Sequence, residues 1–254
     1  VVAACVCIGL VFVQKSTISN KKYAGQTLHV YNAGEYTGEN LISNFEKKTG
    51  CKVVMDLFDS NEQMYIKVAN GEAYDILIPS DYMIERLKQE KLIQPLDQDK
   101  ITCLDDINDA VKNLSYDPNN EYSVPYFWGS VGIVYDKTKV SEKDLKEQGF
   151  NIFLNQKYKG DIYLYDSERD SFMMALKALG YSMNTDNEKE LEEAYNWLLG
   201  CVNTMSPEIV TDEIIDNMAQ ARKAFGLIYS GDAAYAMSEN ENVGYYMPNK
   251  GTNI

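Results

Sequence analysis

An α/β fold in two lobes is what the sequence predicts, and three observations predict it. Over residues 26–91 short β-branched or aromatic runs alternate with amphipathic helical segments, and a second alternation starts at Gly160. Between them lie residues 121–136, EYSVPYFWGSVGIVYD, apolar and aromatic but interrupted by Pro125, Gly129 and Gly132. Proline cannot donate to a ladder, and glycine absorbs changes of φ and ψ at low steric cost. The stretch therefore reads as a crossing between lobes or, equally, as an edge strand with a bulge, rather than as a central strand. Two lobes joined at such a crossing make a cleft. The expected divisions are 1–25, an apolar start plus linker; 26–127, the first lobe; and 128–254, an incomplete second lobe.

Each element has its own signal. TLHVY at 27–31 is a strand, followed by the turn-rich loop NAGEYTG at 32–38. Leu41, Ile42 and Phe45 fall at helical spacing over 40–48, with Gly50 as the stop. KVVMDLF at 52–58 is the second strand, and Ser60 with Gln63 fits a capping box for a helix carrying Met64, Ile66 and Val68. DILI at 75–78 is a third strand, ended by Pro79, with a further helix over 81–91. Strands separated by helices in this way indicate βαβ crossovers and a mainly parallel sheet, in which ligands bind beyond the carboxyl ends of the strands. The loops there are 32–36, 59–62 and 79–82. After the crossing, GDIYLY at 160–165 is a strand. The helix over 167–179 then places Phe172, Met173, Leu176 and Leu179 on one face. The helix over 188–199 turns Leu191, Tyr195 and Leu198 inward and ends at Gly200; FGLIY at 225–229 is a buried strand, and a helix starts near Gly231. Trp128 is expected to pack at the hinge.

Length and composition narrow the function. At 254 residues with 45% hydrophobic content the chain can bury a real core, and a net charge of −14 disfavours nucleic acid and anionic surfaces while suiting cationic or neutral partners. The 19 tyrosines, beside 8 phenylalanines and 2 tryptophans, suit an amphipathic ligand, because tyrosine joins an apolar face to a hydrogen-bonding tip. Residues 1–13, VVAACVCIGLVFV, are continuously apolar but short of the roughly 20 residues that span a bilayer, and read as a membrane-helix remnant or signal segment. Cys51, Cys103 and Cys201 have no metal or disulfide spacing and are expected as free, mostly buried thiols.

Catalytic constellations are incomplete. The single histidine, His29, lies mid-strand and leaves no convincing base for a serine or cysteine nucleophile. There is no phosphate-binding glycine fingerprint and no nucleophile elbow. Asp166, Glu168 and Asp170 are close enough in sequence to begin a glycosidase carboxylate pair, but nothing specifies the second half of such a site.

Seven segments carry a family resemblance: VYNAGEY (30–36), FEKKTGCKV (45–53), DSNEQMYIKV (59–68), AYDILIPSDYMIERL (73–87), YDPNNEYSVPYFWG (116–129), YKGDIYLYDSERDSFMMALKALGYSMNT (158–185) and EAYNWL (193–198). In order and spacing the chain resembles the spermidine/putrescine-binding proteins of ABC importers. The resemblance implies an α/β, two-lobed periplasmic-binding-protein fold (type II), truncated at the C-terminus. It implies a protein outside the cytoplasmic membrane that captures a polyamine and delivers it to an ABC transporter permease, with no cofactor, no metal and no enzymatic activity. The chain also resembles permeases with a fused binding domain, which implies tethering to the membrane through the N-terminal segment. Alternatives are the same fold binding another small solute, or a carbohydrate-active enzyme using Asp166 or Asp170.

A polyamine needs aromatic faces for its methylenes and carboxylates for its ammonium groups. The resemblance assigns Tyr36 as an aromatic contact, Ser80 and Tyr82 as a hydroxyl and aromatic pair, Asp170 as an amine-binding carboxylate and Tyr229 in place of a family tryptophan. Ser167 falls where the family has aspartate, with Asp166 beside it as a substitute, and Ala33 falls where the family has a tryptophan wall. Ser167 and Asp170 also have the spacing of a helix cap, and for Ser167 the cap is the first reading.

Overall fold

The computed structural model describes residues 21–34 and 36–253. The apolar run 1–13 and the membrane or signal reading attached to it lie outside the described residues; among the described residues no helix is long and apolar enough to cross a membrane. The chain forms two compact units, one ending at Pro125 and the other beginning at Tyr126.

The first unit is built on three parallel strands, β1 (Thr27–Ala33), β2 (Lys52–Phe58) and β3 (Ile76–Leu77), in the order β2-β1-β3. Helix α1 (Leu41–Thr49) connects β1 to β2 and stops at Gly50, whose N–H still bonds the Glu46 carbonyl and whose left-handed φ of 80° turns the chain out of the helix. Helix α2 (Asn61–Ala69) starts at Ser60, whose hydroxyl accepts from the Gln63 N–H at 3.2 Å, while the Gln63 side chain accepts from the Asp59 N–H at 3.1 Å. This is a capping box reaching back one residue further than usual. In α2, Met64 and Val68 are buried and Ile66 is 57% exposed, because a helix buries i and i+4 together and not i+2. Together with α3 (Asp81–Gln89) it closes a core of Tyr31, Phe58, Met64, Val68, Met83 and Leu87. Tyr31 anchors that core, stacked on Tyr74 and edge-on to Phe58.

From there to Pro125 the chain runs in turns and short 3₁₀ segments held by one buried carboxylate. Asp117, 2% exposed, accepts hydrogen bonds from the backbone N–H groups of Glu121, Tyr122 and Ser123 and from the Ser123 hydroxyl.

The second unit contains a five-stranded mixed sheet in the order β6-β5-β7-β4-β8. Its strands are β4 (Val131–Asp136), β5 (Ile162–Tyr165), β6 (Glu208–Val210), β7 (Phe225–Tyr229) and β8 (Val243–Tyr246). Strand β5 runs parallel to β6 and β7, whereas β4 is antiparallel to β7 and β8. Its helices are α4 (Glu142–Gln148), α5 (Glu168–Leu179), α6 (Glu188–Met205), α7 (Glu213–Ala219) and α8 (Ser230–Glu239). One sheet face packs against α5, α6 and a buried aromatic group of Phe150, Phe153, Tyr158 and Phe225; the other packs against α7 and α8.

Several expectations are corrected. The second half of the crossing stretch is β4, an interior strand buried along its whole length. Gly132 is there for close approach rather than bending, since a Cβ would lie 2.5 Å from the Tyr245 ring. Trp128, expected to pack, is 65% exposed. Helix α6 runs through Gly200 to Met205, because Ala194, Trp197, Cys201 and Met205 continue one buried stripe; Tyr195 is on the outside. Leu179 lies at the end of α5 and is 37% exposed. Among the described residues the three cysteines are free, with Cys51 and Cys201 buried and Cys103 exposed.

Candidate functional site

In the first unit the parallel register sets the geometry. Ala33 pairs with Phe58 and Tyr31 with Leu77, so the loops after β1, β2 and β3 leave the same sheet edge. That edge carries Tyr36, residues 59–62 and Ser80 with Tyr82. The second and third loops are stitched together by Asn61: its Oδ1 accepts from the Ser80 N–H at 2.9 Å, and its Nδ2 donates to Ser80 Oγ at 3.0 Å. Ser80 precedes α3 without capping it through its side chain. The Tyr82 hydroxyl donates to Glu62 Oε1 at 2.9 Å, which fixes the phenol from the first turn of α2. Tyr36 and Tyr82 are half-buried, and Ser80 is exposed. Ala33 ends β1, half-buried against the core of this unit.

In the second unit the same logic gathers a different set. Ile162 pairs with Phe225 and Tyr163 with Gly226 in parallel, so the carboxyl ends of β5 and β7 stand at one edge. Strand β4 starts there too, since Val131 pairs antiparallel with Tyr229. Asp166 and Ser167 follow β5, Tyr229 ends β7, and Asp170 sits in the first turn of α5. Asp166 is exposed, with its backbone N–H on the Val210 carbonyl. The Ser167 hydroxyl accepts from the Asp170 N–H at 3.3 Å and so serves as the helix cap.

Asp170 is the chemical centre of this edge. It is 3% exposed, yet both hydrogen bonds to its carboxylate come from neutral donors: the Tyr229 hydroxyl to Oδ2 and Asn253 Nδ2 to Oδ1, each 2.6 Å long. The adjacent helix N-terminus favours negative charge as well. Tyr229 meets Tyr165 edge-on, with ring centroids 5.3 Å apart. A buried carboxylate solvated by neutral groups beside aromatic faces is suited to a cation that arrives with an apolar body. Among the described residues no group of three or more His, Cys, Asp or Glu side chains is placed to hold a metal ion.

Sequence reasoning missed Asn61, Glu62 and Asn253, which hold these groups in place. Asn61 follows the Ser60 cap and reads as part of a helix start. Asn253 is 83 residues from its carboxylate, and no local pattern connects the two.

Known proteins resemble the chain in sequence and fold. The family model for bacterial extracellular solute-binding proteins matches residues 40–254. A spermidine/putrescine-binding periplasmic protein of Escherichia coli (strain K12) is 34% identical over 230 residues, covering 89% of this chain and 64% of the relative. The putrescine-binding periplasmic protein SpuD of Pseudomonas aeruginosa is 32% identical over 246 residues, covering 89% of this chain and 66% of its own length. Among solved structures, a putative spermidine/putrescine ABC transporter from Listeria monocytogenes superposes with a TM-score of 0.82 at 36% identity, covering 90% of this chain and 70% of that one. The spermidine/putrescine ABC transporter substrate-binding protein PotD of Streptococcus pneumoniae gives 0.69 at 39% identity with the same coverage. The chain thus spans a little under two thirds of the length of the Escherichia coli relative.

Proposed function

The chain belongs to the family of bacterial extracellular solute-binding proteins, and on that premise we propose that it captures polyamines of the spermidine/putrescine class for an ABC transporter permease. The reading places it outside the cytoplasmic membrane, tethered through its N-terminal segment, binding its ligand without chemical change. The observation that carries it is Asp170, a buried carboxylate whose hydrogen bonds leave its charge for an incoming ammonium group. Within the second unit Tyr229 supplies an aromatic face beside that carboxylate for the methylene chain, and Tyr36, Ser80 and Tyr82 are the contacts this reading assigns to the first unit. The relatives named for spermidine and putrescine support the same ligand class. A net charge of −14 favours the approach of a polycation.

Asp166 keeps the role of an exposed auxiliary carboxylate in this reading, and Ser167 contributes through the helix cap. A second reading, another small solute in the same fold, draws on Ser167, whose hydroxyl is committed to the Asp170 N–H, and on Ala33 in place of an aromatic wall. Calorimetric titration of Asp170→Asn tests the proposal. Losing the charge from a buried charge-assisted hydrogen bond is expected to weaken polyamine binding by about 2 kcal/mol or more. An unchanged dissociation constant would leave the Asp170 carboxylate with a structural role alone, as the acceptor for Tyr229 and Asn253.

A further inference from the structure

Glu62 does more at the edge of the first unit than hold a ring, an inference that rests on the polyamine reading. The residue is half-buried in the first turn of α2, next to Asn61. Both side chains reach the segment that follows β3. Asn61 receives the Ser80 N–H on Oδ1, which fixes the orientation of its amide and leaves Nδ2 to donate to Ser80 Oγ. Glu62 Oε1 receives the Tyr82 hydroxyl at 2.9 Å. The backbone before Tyr82 and the tip of its ring are thus both tied to one helix start.

The direction of the Tyr82 bond decides what its oxygen can offer a ligand. A phenol carries one hydrogen, and an ionised carboxylate has none to give in return, so the bond to Glu62 commits that hydrogen. Any further hydrogen bond at the Tyr82 oxygen must come from a donor. A hydroxyl that donates to a carboxylate is also polarised by it and becomes a stronger acceptor. An ammonium group brings donors only, whereas a solute carboxylate brings acceptors only and would meet the Glu62 charge as well. The second unit repeats the device: the Tyr229 hydroxyl donates to Asp170, again a carboxylate in the first turn of a helix at a carboxyl edge of parallel strands. We propose that Glu62 is a positioning residue for polyamine binding, which by taking the Tyr82 hydrogen turns the Tyr82 oxygen into an acceptor for a primary ammonium group.

A double-mutant cycle tests this. Putrescine and spermidine are titrated calorimetrically into the full chain as wild type, Glu62→Ala, Tyr82→Phe and the double variant, with circular dichroism to verify the fold. The titrations are run at about 0.5 M salt, where a change in net charge counts little. Glu62→Ala and Tyr82→Phe are each expected to weaken binding by about fivefold or more, and the double variant to stay within about twofold of Tyr82→Phe. If Glu62→Ala costs the same factor with and without the Tyr82 hydroxyl, Glu62 acts on the ligand or the fold by another route and the inference is overturned. Wild-type affinity in a folded Glu62→Ala variant overturns it too. Glu62→Met, similar in length and without a carboxylate, takes the place of Glu62→Ala in the cycle if that variant fails to fold. Both adverse results leave the polyamine reading intact. Binding of neither polyamine to wild type, at low salt or high, would overturn the proposed function and this inference with it.

Discussion

Gly132 and Gly244 lie beneath tyrosine rings: a Cβ on Gly132 would come within 2.5 Å of Tyr245, and one on Gly244 within 2.7 Å of Tyr135. Glycine weakens a strand by itself, and a ring laid across it from the neighbouring strand supplies the packing that its own side chain cannot. The Tyr245 hydroxyl holds its ring there, bonded to the Ser130 carbonyl at 3.0 Å. Gly132→Ala should therefore cost about 1–3 kcal/mol of stability through overpacking, read as a lower midpoint in urea denaturation. An unchanged midpoint would mean that the ring yields freely. The sequence signal at Gly132 was visible but ambiguous, because glycine marks a bend and a close approach alike. Asp170 was reachable from the family resemblance, and the cap at Ser167 from its spacing to Asp170. Their partner Asn253 was not, since an amide far along the chain carries no pattern that points to a particular carboxylate.

Local signals were sufficient where an element is its own unit. The bounds of β2 and β7 follow from their apolar runs, and the starts of α2 and α5 from Ser60 and Ser167. They fell short where tertiary packing overrides them. Helix α6 continues through Gly200 because Cys201 and Met205, both fully buried, extend the stripe begun by Ala194 and Trp197. A Cβ on Gly200 would have no neighbour within 4 Å, so Gly200→Ala should raise stability by about 0.5–1 kcal/mol, seen as a higher Tm. Destabilisation would mean that the helix needs a break at that point. The same helix gives a pH prediction. Burial pushes the Cys201 thiol up from 9.0 to about 11. Between those values the unfolded chain has lost a proton that the native state keeps, so stability is fully present below about pH 9 and falls as pH rises towards 11. Burial shifts Tyr135, Tyr163 and the half-buried Tyr245 up as well, so the readout is the difference between wild type and Cys201→Ala. The variant should lose about 1–3 kcal/mol less between pH 8 and 10.5 in urea titrations. Parallel pH profiles would contradict this.

At the scale of the molecule, two units each place their candidate residues at the carboxyl edge of parallel strands, where α/β sheets bind ligands. The alternation of strands and helices made this legible for the first unit, whose three strands are all parallel and are joined by helical crossovers. In the second, β4 and β8 join antiparallel to the parallel core and are separated by more than a hundred residues, a pairing that no local pattern encodes. The central claim is that the chain binds polyamines through a buried carboxylate. Isothermal titration of the full chain with putrescine and spermidine, against glutamate and glucose as controls, tests it most directly, at low salt and at about 0.5 M salt, where exposed charges are heavily screened. The account predicts saturable one-site binding of the polyamines alone, weaker at high salt. Binding of a control solute in their place, or no polyamine binding at either salt concentration, would contradict it.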